Sequence, residues 1–369
     1  MTEDLQRTPL YEEHKRLGAR LVPFAGFHMP VQYPSGILAE HEAVRRSAGL
    51  FDVSHMGEFE FSGPEAMDMV QYLTTNNVAR LEVGQAQYSL LCQEDGGTID
   101  DCLVFRFPEH FLIVVNASNR QKDAEWIRQF APRFDAEFYD ASDETALLAL
   151  QGPAAERILA RVTDADLGNL PYYWFCNAEV AGASAMVSRT GYTGEDGFEC
   201  YLPAGMAVDV WRELLNVGKG DGLIPAGLGA RDSLRLEMGY PLYGNDVDEG
   251  RSPLEAGLGW TVKLKKGEFV GRDALMRQKE EPPQRKLAAF VLQDKGFPRP
   301  GYEIRAGGRP AGEVTSGVFS PSLKQGIGMG YVNAEAAQPD TDLEIMIRGR
   351  PVPARTVKPP FYKDGSLKR

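Results

Sequence analysis

Phe59-Glu60-Phe61-Ser62-Gly63-Pro64-Glu65-Ala66 reads as a strand, a Gly-Pro turn and the start of a helix. Leu148-Ala149-Leu150-Gln151-Gly152-Pro153-Ala154-Ala155 repeats that order 89 residues later. Proline suits the first turn of a helix, where its missing N–H costs no hydrogen bond. The echo predicts two α+β units of similar build, packed as a pseudo-repeat. Around the first copy, helical periodicity covers residues 38–46, after Pro34-Ser35-Gly36, and residues 64–73. Residues 88–92, 99–107 and 111–116 read as three strands. Glu94-Asp95-Gly96-Gly97 supplies one turn between them and Pro108-Glu109-His110 the other, before a helix over 119–130.

A charged, proline-paired stretch, Lys279-Glu280-Glu281-Pro282-Pro283-Gln284, has the composition of a linker. Beyond it, residues 287–292, 313–318, 327–332, 342–347 and 352–357 read as short strands separated by turn-rich segments. That spacing predicts a small antiparallel barrel. The expected fold class is therefore α+β. The core spans 1–279, as two similar units at about 1–140 and 141–279, and a C-terminal β-barrel covers 285–369.

With 369 residues, 43% hydrophobic and 25% charged, the chain has the composition of a globular protein of two or three domains. Disordered, collagen-like and disulfide-dense classes are excluded. The formal charge of −12 disfavours nucleic acid as the main ligand, because phosphate binding is driven by clustered basic charge. Residues 280–369 nevertheless carry 14 basic against 10 acidic side chains. The C-terminal part is thus mildly basic on an acidic body, a hint of an anionic ligand or partner there. Cys92, Cys102, Cys176 and Cys200 show no C-x-x-C spacing and read as reduced, buried thiols. No histidine pairs with another or with a cysteine at metal-ligand spacing, so no metal site is expected. The first residues are not those of a secretory or transit peptide, and no run of 18 apolar residues exists. A cytoplasmic, membrane-free protein is expected.

Three segments could carry chemistry. In Thr98-Ile99-Asp100-Asp101-Cys102-Leu103-Val104-Phe105, strand alternation puts Asp101 with Ile99, Leu103 and Phe105, and Asp100 with Cys102 and Val104. Both faces are otherwise apolar, so at least one carboxylate enters a poorly solvated place, where its pKa shifts unless it is paired. Alternation does not say which aspartate matters, and both could simply remain wet at the end of the turn. In Arg189-Thr190-Gly191-Tyr192-Thr193-Gly194-Glu195-Asp196-Gly197-Phe198-Glu199-Cys200-Tyr201, the glycines match no phosphate-loop pattern. Glu199, between Phe198 and Cys200 after a tyrosine-bearing turn, suits a flat heterocycle with two adjacent N–H donors. An exposed strand glutamate is the plain alternative. In Gly229-Ala230-Arg231-Asp232-Ser233-Leu234-Arg235, the two arginines share a helical face and Asp232 can pair with Arg235. An arginine near the helix start could instead clamp a carboxylate.

Taken together, these segments resemble the aminomethyltransferase, or T protein, family of the glycine cleavage system. The likeness is carried by Phe24-Ala25-Gly26-Phe27-His28-Met29-Pro30, Phe51-Asp52-Val53-Ser54-His55-Met56-Gly57 and Gln87-Tyr88-Ser89-Leu90. It continues through the Asp100-Asp101 strand, Thr190 to Glu199, Ala230 to Asp246, and Ser316 to Val332 with its Ser320-Pro321-Ser322-Leu323. The resemblance implies transfer of a one-carbon unit from an aminomethyl group on the lipoylated H protein to tetrahydrofolate, the co-substrate. Ammonia and 5,10-methylenetetrahydrofolate would be the products. It implies Asp101 as the catalytic carboxylate, kept ionised by nearby positive charge. Glu199 would grip the pterin, Tyr88 and Tyr192 would line its slot, Met56 would pack it, and Arg231 would hold the far side of the folate. Asn116 is a neighbour and Tyr173 a wall, with Tyr172 not excluded. The chain departs from some members in carrying Phe105 where they have a tyrosine, so a hydroxyl hydrogen bond there is missing.

Two rivals share the implied fold. A folate-binding accessory protein of iron–sulfur maintenance carries Lys-Gly-Cys-Tyr-x-Gly-Gln-Glu, where this chain has Lys266-Gly267-Glu268-Phe269-Val270-Gly271-Arg272-Asp273 and no cysteine. A stand-alone folate-dependent demethylase of a small methylated amine or sulfonium compound would keep the folate end and change the substrate end. For H-protein docking, the run Lys263-Leu264-Lys265-Lys266 and the basic C-terminal part are the expected cations.

Overall fold

In the computed structural model, which describes residues 5–367, both Gly-Pro turns are built alike. Gly63 and Gly152 take φ of +101° and +133°, a region that L side chains rarely adopt. Each follows a strand, Gly57–Ser62 or Thr145–Gln151, and leads into a helix, Ala66–Leu73 or Ala155–Leu159. A Cβ at Gly152 would meet the Ser47 carbonyl oxygen at 2.5 Å and that of Val44 at 2.7 Å, so only glycine fits where the second unit touches the first.

The repeat extends to the sheets. In the first, Ala86–Cys92, Thr98–Arg106 and His110–Val115 run as successive antiparallel neighbours; Gly57–Ser62 then returns beside the last, with Glu137–Asp140 at the edge. In the second, Phe175–Val180, Ala183–Ser188, Gly197–Pro203 and Thr145–Gln151 follow the same order. The next place is taken not by the second unit's own strand but by Ala48–Asp52 from the chain's beginning. Leu223–Pro225 is displaced one position outward and pairs parallel to it. All five residues of Ala48–Asp52 are buried, as an inserted central strand requires.

Strand alternation sorts the side chains into layers. Phe198, Cys200 and Leu202 face the helix side of the second sheet, with Trp211 of helix Ala207–Gly218. Cys102 and Val104 face the helices of the first, among them Arg120–Phe130. Leu103, Phe105, Leu147, Ala149 and Tyr201 meet between the sheets. The core is thus helix, sheet, sheet, helix, and the inter-sheet layer is where a ligand can lie against two rigid surfaces.

The C-terminal barrel closes with six strands: Arg285–Leu292, Gln325–Asn333, Arg309–Ser320, Glu303–Ala306, Asp342–Ile347 and Arg350–Val357, the last pairing back to the first. Sequence patterning finds five. Glu303–Ala306 is four residues long, too short for alternation to register. Helix Leu228–Glu237 ties barrel to core. Arg235 donates to Asp246 and to Ser316 Oγ, each at 2.9 Å, and pairs with Asp232 as the i,i+3 spacing suggested. Glu237 accepts from Arg45, Ser320 and Ser322, with His41 Nε2 3.4 Å away and hydrogen-bonded to Ser322 Oγ, which gives the Ser320-Pro321-Ser322 segment its place.

Candidate active site

Asp101 points from the first sheet into the inter-sheet layer, and Glu199 lines the same small chamber from the second. Asp100, one residue earlier, goes through to the helix side and is fully buried. Ile99 does not share Asp101's face as strict alternation implied. The register shifts between Leu91 and Cys92, leaving Ile99 as an extra residue opposite them, and it packs with the helix-side core.

Asn116, at the end of strand His110–Val115, bridges the two aspartates. Its Nδ2 donates to Asp100 Oδ1 at 2.8 Å and to Asp101 Oδ1 at 2.9 Å, while its backbone N–H donates to Asp100 Oδ2 at 2.8 Å. Tyr88 O–H donates to Asp101 Oδ2 at 2.9 Å. Burial, reinforced by the Asp100 charge, raises Asp101 to about 7 despite these donors. The expectation that positive charge holds Asp101 ionised is therefore corrected: its immediate partners are a neutral phenol, a neutral amide and a second aspartate. A carboxyl group poised near neutrality can hold a cation or exchange a proton.

At the other end, Thr190 O–H donates to Glu199 Oε2 at 2.5 Å. Burial raises Glu199, opposed by Thr190 and by the charge of Arg231. Arg231 lies over the Tyr192 ring, 4.7 Å from its centroid, and forms no ion pair among the described residues. Burial lowers its own pKa, although the residue is only half-buried and keeps some contact with solvent. Tyr192 stacks on Tyr240 at 5.6 Å and donates to the Pro241 carbonyl. Tyr173 takes a positive φ of 64°, a strained conformation for a bulky residue, and its ring lines the chamber. Met56, Tyr88, Asn116 and Arg231 complete the wall. Every site residue named from the sequence thus lines one chamber. Tyr172 lies instead in the outer vestibule, edge-on to Tyr173 at 4.7 Å.

The chamber has a volume of about 120 Å³. A vestibule of about 940 Å³ shares Tyr88, Tyr173 and Tyr192 with it. Ligand pockets usually hold about 300–1,000 Å³, so the chamber accommodates the head of a ligand and the vestibule its body. Phe105 fills the place of the family's tyrosine with edge-to-face contacts to Phe175 and Tyr201, at 5.5 and 5.6 Å.

Two residues escaped the sequence reading. Thr190 holds Glu199, yet a hydroxyl partner follows no periodicity. Trp260, 59% exposed at the vestibule, stacks on Tyr88 at 5.8 Å and belongs to no motif. Lys266 is a correction. Its Nζ donates to the carbonyls of Gln71, Thr74 and Asn76, so it closes the end of helix Ala66–Leu73 rather than presenting charge outward. Burial pushes it down to about 7.

Residues 10–266 match the family model described as the GCVT N-terminal domain, and residues 285–363 that of the glycine cleavage T-protein C-terminal barrel domain. An aminomethyltransferase of Symbiobacterium thermophilum is 52% identical, over 98% of this chain and 99% of that protein. One from Rubrobacter xylanophilus is 53% identical, over 97% of this chain and 95% of that protein. The crystal structure of the glycine cleavage system aminomethyltransferase T from Bartonella henselae superposes with a TM-score of 0.93. It is 35% identical and covers 99% of this chain and 100% of its own.

Proposed function

The chain belongs to the glycine cleavage T-protein family, and from that premise we propose how its residues carry the reaction. The activity is that of an aminomethyltransferase of the glycine cleavage system. The one-carbon unit of an aminomethyl group on lipoylated H protein passes to tetrahydrofolate, giving 5,10-methylenetetrahydrofolate, ammonia and dihydrolipoyl H protein. The carbon exchanges its bonds to sulfur and nitrogen for bonds to N5 and N10 of the folate. Of the two protons those nitrogens lose, one ends on the thiol and the other on the ammonia, which thereby carries the arm's positive charge away as ammonium.

Glu199 receives the pterin's amino group and adjacent N–H, and Thr190 leaves one of its oxygens anchored while it does so. Tyr173, Tyr192 and Met56 enclose the ring, and the folate's body extends into the vestibule. Arg231 supplies a cation to the folate's far side. Asp101, held by Tyr88 and Asn116, meets the cationic amine of the incoming arm. That charge favours the ionised carboxylate, which a value near 7 leaves within reach, and orients the leaving nitrogen. The observation that carries the assignment is the convergence of Asp101 and Glu199, from opposite sheets, on one chamber with aromatic walls.

H protein would dock beside the vestibule. Arg80, Lys263 and Lys265 border a groove that shares Asn76, Gln87 and Trp260 with it, and these cations suit an acidic partner. Residues 1–279 would act as the folate-binding core and 285–369 as a barrel unit locking its open side. No helix in the described residues is long and apolar enough to cross a membrane, and we assign the chain to the cytoplasm. The test mixes purified protein, tetrahydrofolate and aminomethylated H protein and measures ammonia and methylenetetrahydrofolate. Stoichiometric formation of both supports the reading; neither product, with all components intact, overturns it.

A further inference from the structure

Behind Asp101, on the helix side of the first sheet, lies a buried carboxyl group that no step above uses. Asp123 of helix Arg120–Phe130 is 0% exposed, and neither of its oxygens meets a donor. Its hydrogen-bonding neighbour is Asp100, also 0% exposed. Two carboxylates cannot both be ionised side by side out of water without a cation between them. The nearby cation is directed elsewhere: Lys122 Nζ donates to the Ile99 carbonyl at 2.9 Å, Tyr243 Oη at 2.7 Å and Glu249 at 2.9 Å. The remaining titratable neighbours are Asp101 and Cys102 on the strand, and Tyr243 from the loop after helix Leu228–Glu237.

The hydrogen bonds say which of the two keeps a proton. Asp100 is surrounded by donors: the backbone N–H and Nδ2 of Asn116, each at 2.8 Å, and Asn119 Nδ2 at 2.6 Å. Those donors stabilise an anion on Asp100, whereas Asp123 has none to stabilise an anion of its own. We infer that Asp123 is a positioning residue: a neutral carboxylic acid whose O–H donates to Asp100 and, through Asp100 and Asn116, fixes the carboxylate of Asp101 in the chamber. Burial and the Asp100 charge both drive Asp123 well above the ordinary carboxyl range, in agreement with that geometry. The relay Asp123, Asp100, Asn116, Asp101 runs through the sheet, so the face away from the ligand sets the geometry and proton affinity of the face that meets it.

The test uses full-length Asp123→Asn, which keeps a neutral donor, and Asp123→Leu, which keeps the size and loses it. Turnover against pH, the KM for tetrahydrofolate and the infrared carboxylic-acid C=O band are measured at neutral pH and around it. Asp123→Asn should stay within about threefold of wild-type kcat with an unmoved pH midpoint, and Asp123→Leu should lose about tenfold or more at nearly constant KM, the scale of a slightly misplaced reacting group. Wild type should show a protonated-carboxyl band that Asp123→Asn lacks. A pH midpoint that falls in Asp123→Asn, with no such band in wild type, would mean that Asp123 is an anion and would overturn the inference. If Asp123→Leu does not fold, the asparagine variant and the infrared band decide alone. The inference rests on Asp101 as the reacting carboxylate, yet the two can fail separately. Full turnover in Asp101→Asn overturns both, whereas a slow Asp101→Asn enzyme beside a fully active, unshifted Asp123→Leu enzyme overturns the positioning role only.

Discussion

Replacing Asp101 by asparagine keeps the side chain's shape between Tyr88 and Asn116 and removes its charge. Turnover should fall by about 10²–10⁴, the range for a positioned acid–base or electrostatic group. Folding should survive, because a buried carboxylate without a cation is no asset to stability. Asp100→Asn should show the reverse emphasis. Asparagine there leaves one acceptor oxygen and an NH2 to face three donors of Asn116 and Asn119, so the melting temperature should drop more and turnover less; equal losses of turnover would refute the assignment of Asp101. The sign of the pH dependence follows from Asp101's raised pKa. The carboxyl of the free protein is neutral below about 7, so kcat/KM should climb as pH rises through that value and level off above it. The midpoint of kcat should lie lower, because the bound arm's cation favours the carboxylate. Glu199→Gln leaves one acceptor oxygen in place of two and should weaken tetrahydrofolate by roughly 1.5–3 kcal/mol, read by titration. At this scale the sequence named the residue types, and alternation showed which of them share a face. Which face looks into a chamber was not legible, since both faces of the Asp100–Asp101 strand are apolar and buried.

Lys265 and Lys266 are neighbours with different duties, and the difference lies in the helix end beside them. Lys266 places one N–H on each of three carbonyls, Gln71, Thr74 and Asn76, which otherwise lack partners as helix Ala66–Leu73 ends. Lys265 is exposed. Lys265→Glu should therefore raise the apparent KM for H protein at low salt and leave tetrahydrofolate binding alone. Lys266→Glu should instead lower the unfolding free energy, by about 1–3 kcal/mol for each buried acceptor left bare, read as a lower urea midpoint. An unchanged KM in Lys265→Glu would remove that lysine from the docking face. A run of basic residues reads as one patch because sequence carries no record of which side chain turns inward. The same blindness hid the four-residue strand Glu303–Ala306, whose place is set by the barrel's need to close, and the extra residue at Ile99, which a register shift creates.

The whole molecule depends on how the barrel is fastened to the core, and Glu237 is the centre of that junction. Its carboxylate joins Arg45 and His41 of helix Ile37–Arg46 to Ser320 and Ser322 of the barrel. Burial alone would raise its pKa, but His41, Arg45 and Ser320 hold it down at about 2. The depressed value means that its stabilisation is present above the ordinary carboxyl range, near 4.3, and is lost as pH falls from there toward 2. Glu237→Ala strands Arg45 without one of its two carboxylates and should cost about 3–5 kcal/mol. It should also flatten stability against pH in that window; a denaturant midpoint unchanged from wild type would show that the barrel is held by other contacts. From the sequence alone came the repeat, the barrel, the linker and, by resemblance, eight of the residues that line the chamber, though not Thr190. Those signals are local: a turn needs its Gly-Pro, a strand its alternation, a helix its period, and a motif its spacing. The tertiary structure alone decided that Ala48–Asp52 enters the other unit's sheet, that two sheets face each other across a chamber, and that Asp100 turns to the helix side behind it. Each of these is settled by which surfaces must leave water together, a property of contacts between residues far apart in the chain, and no window along the sequence contains both partners.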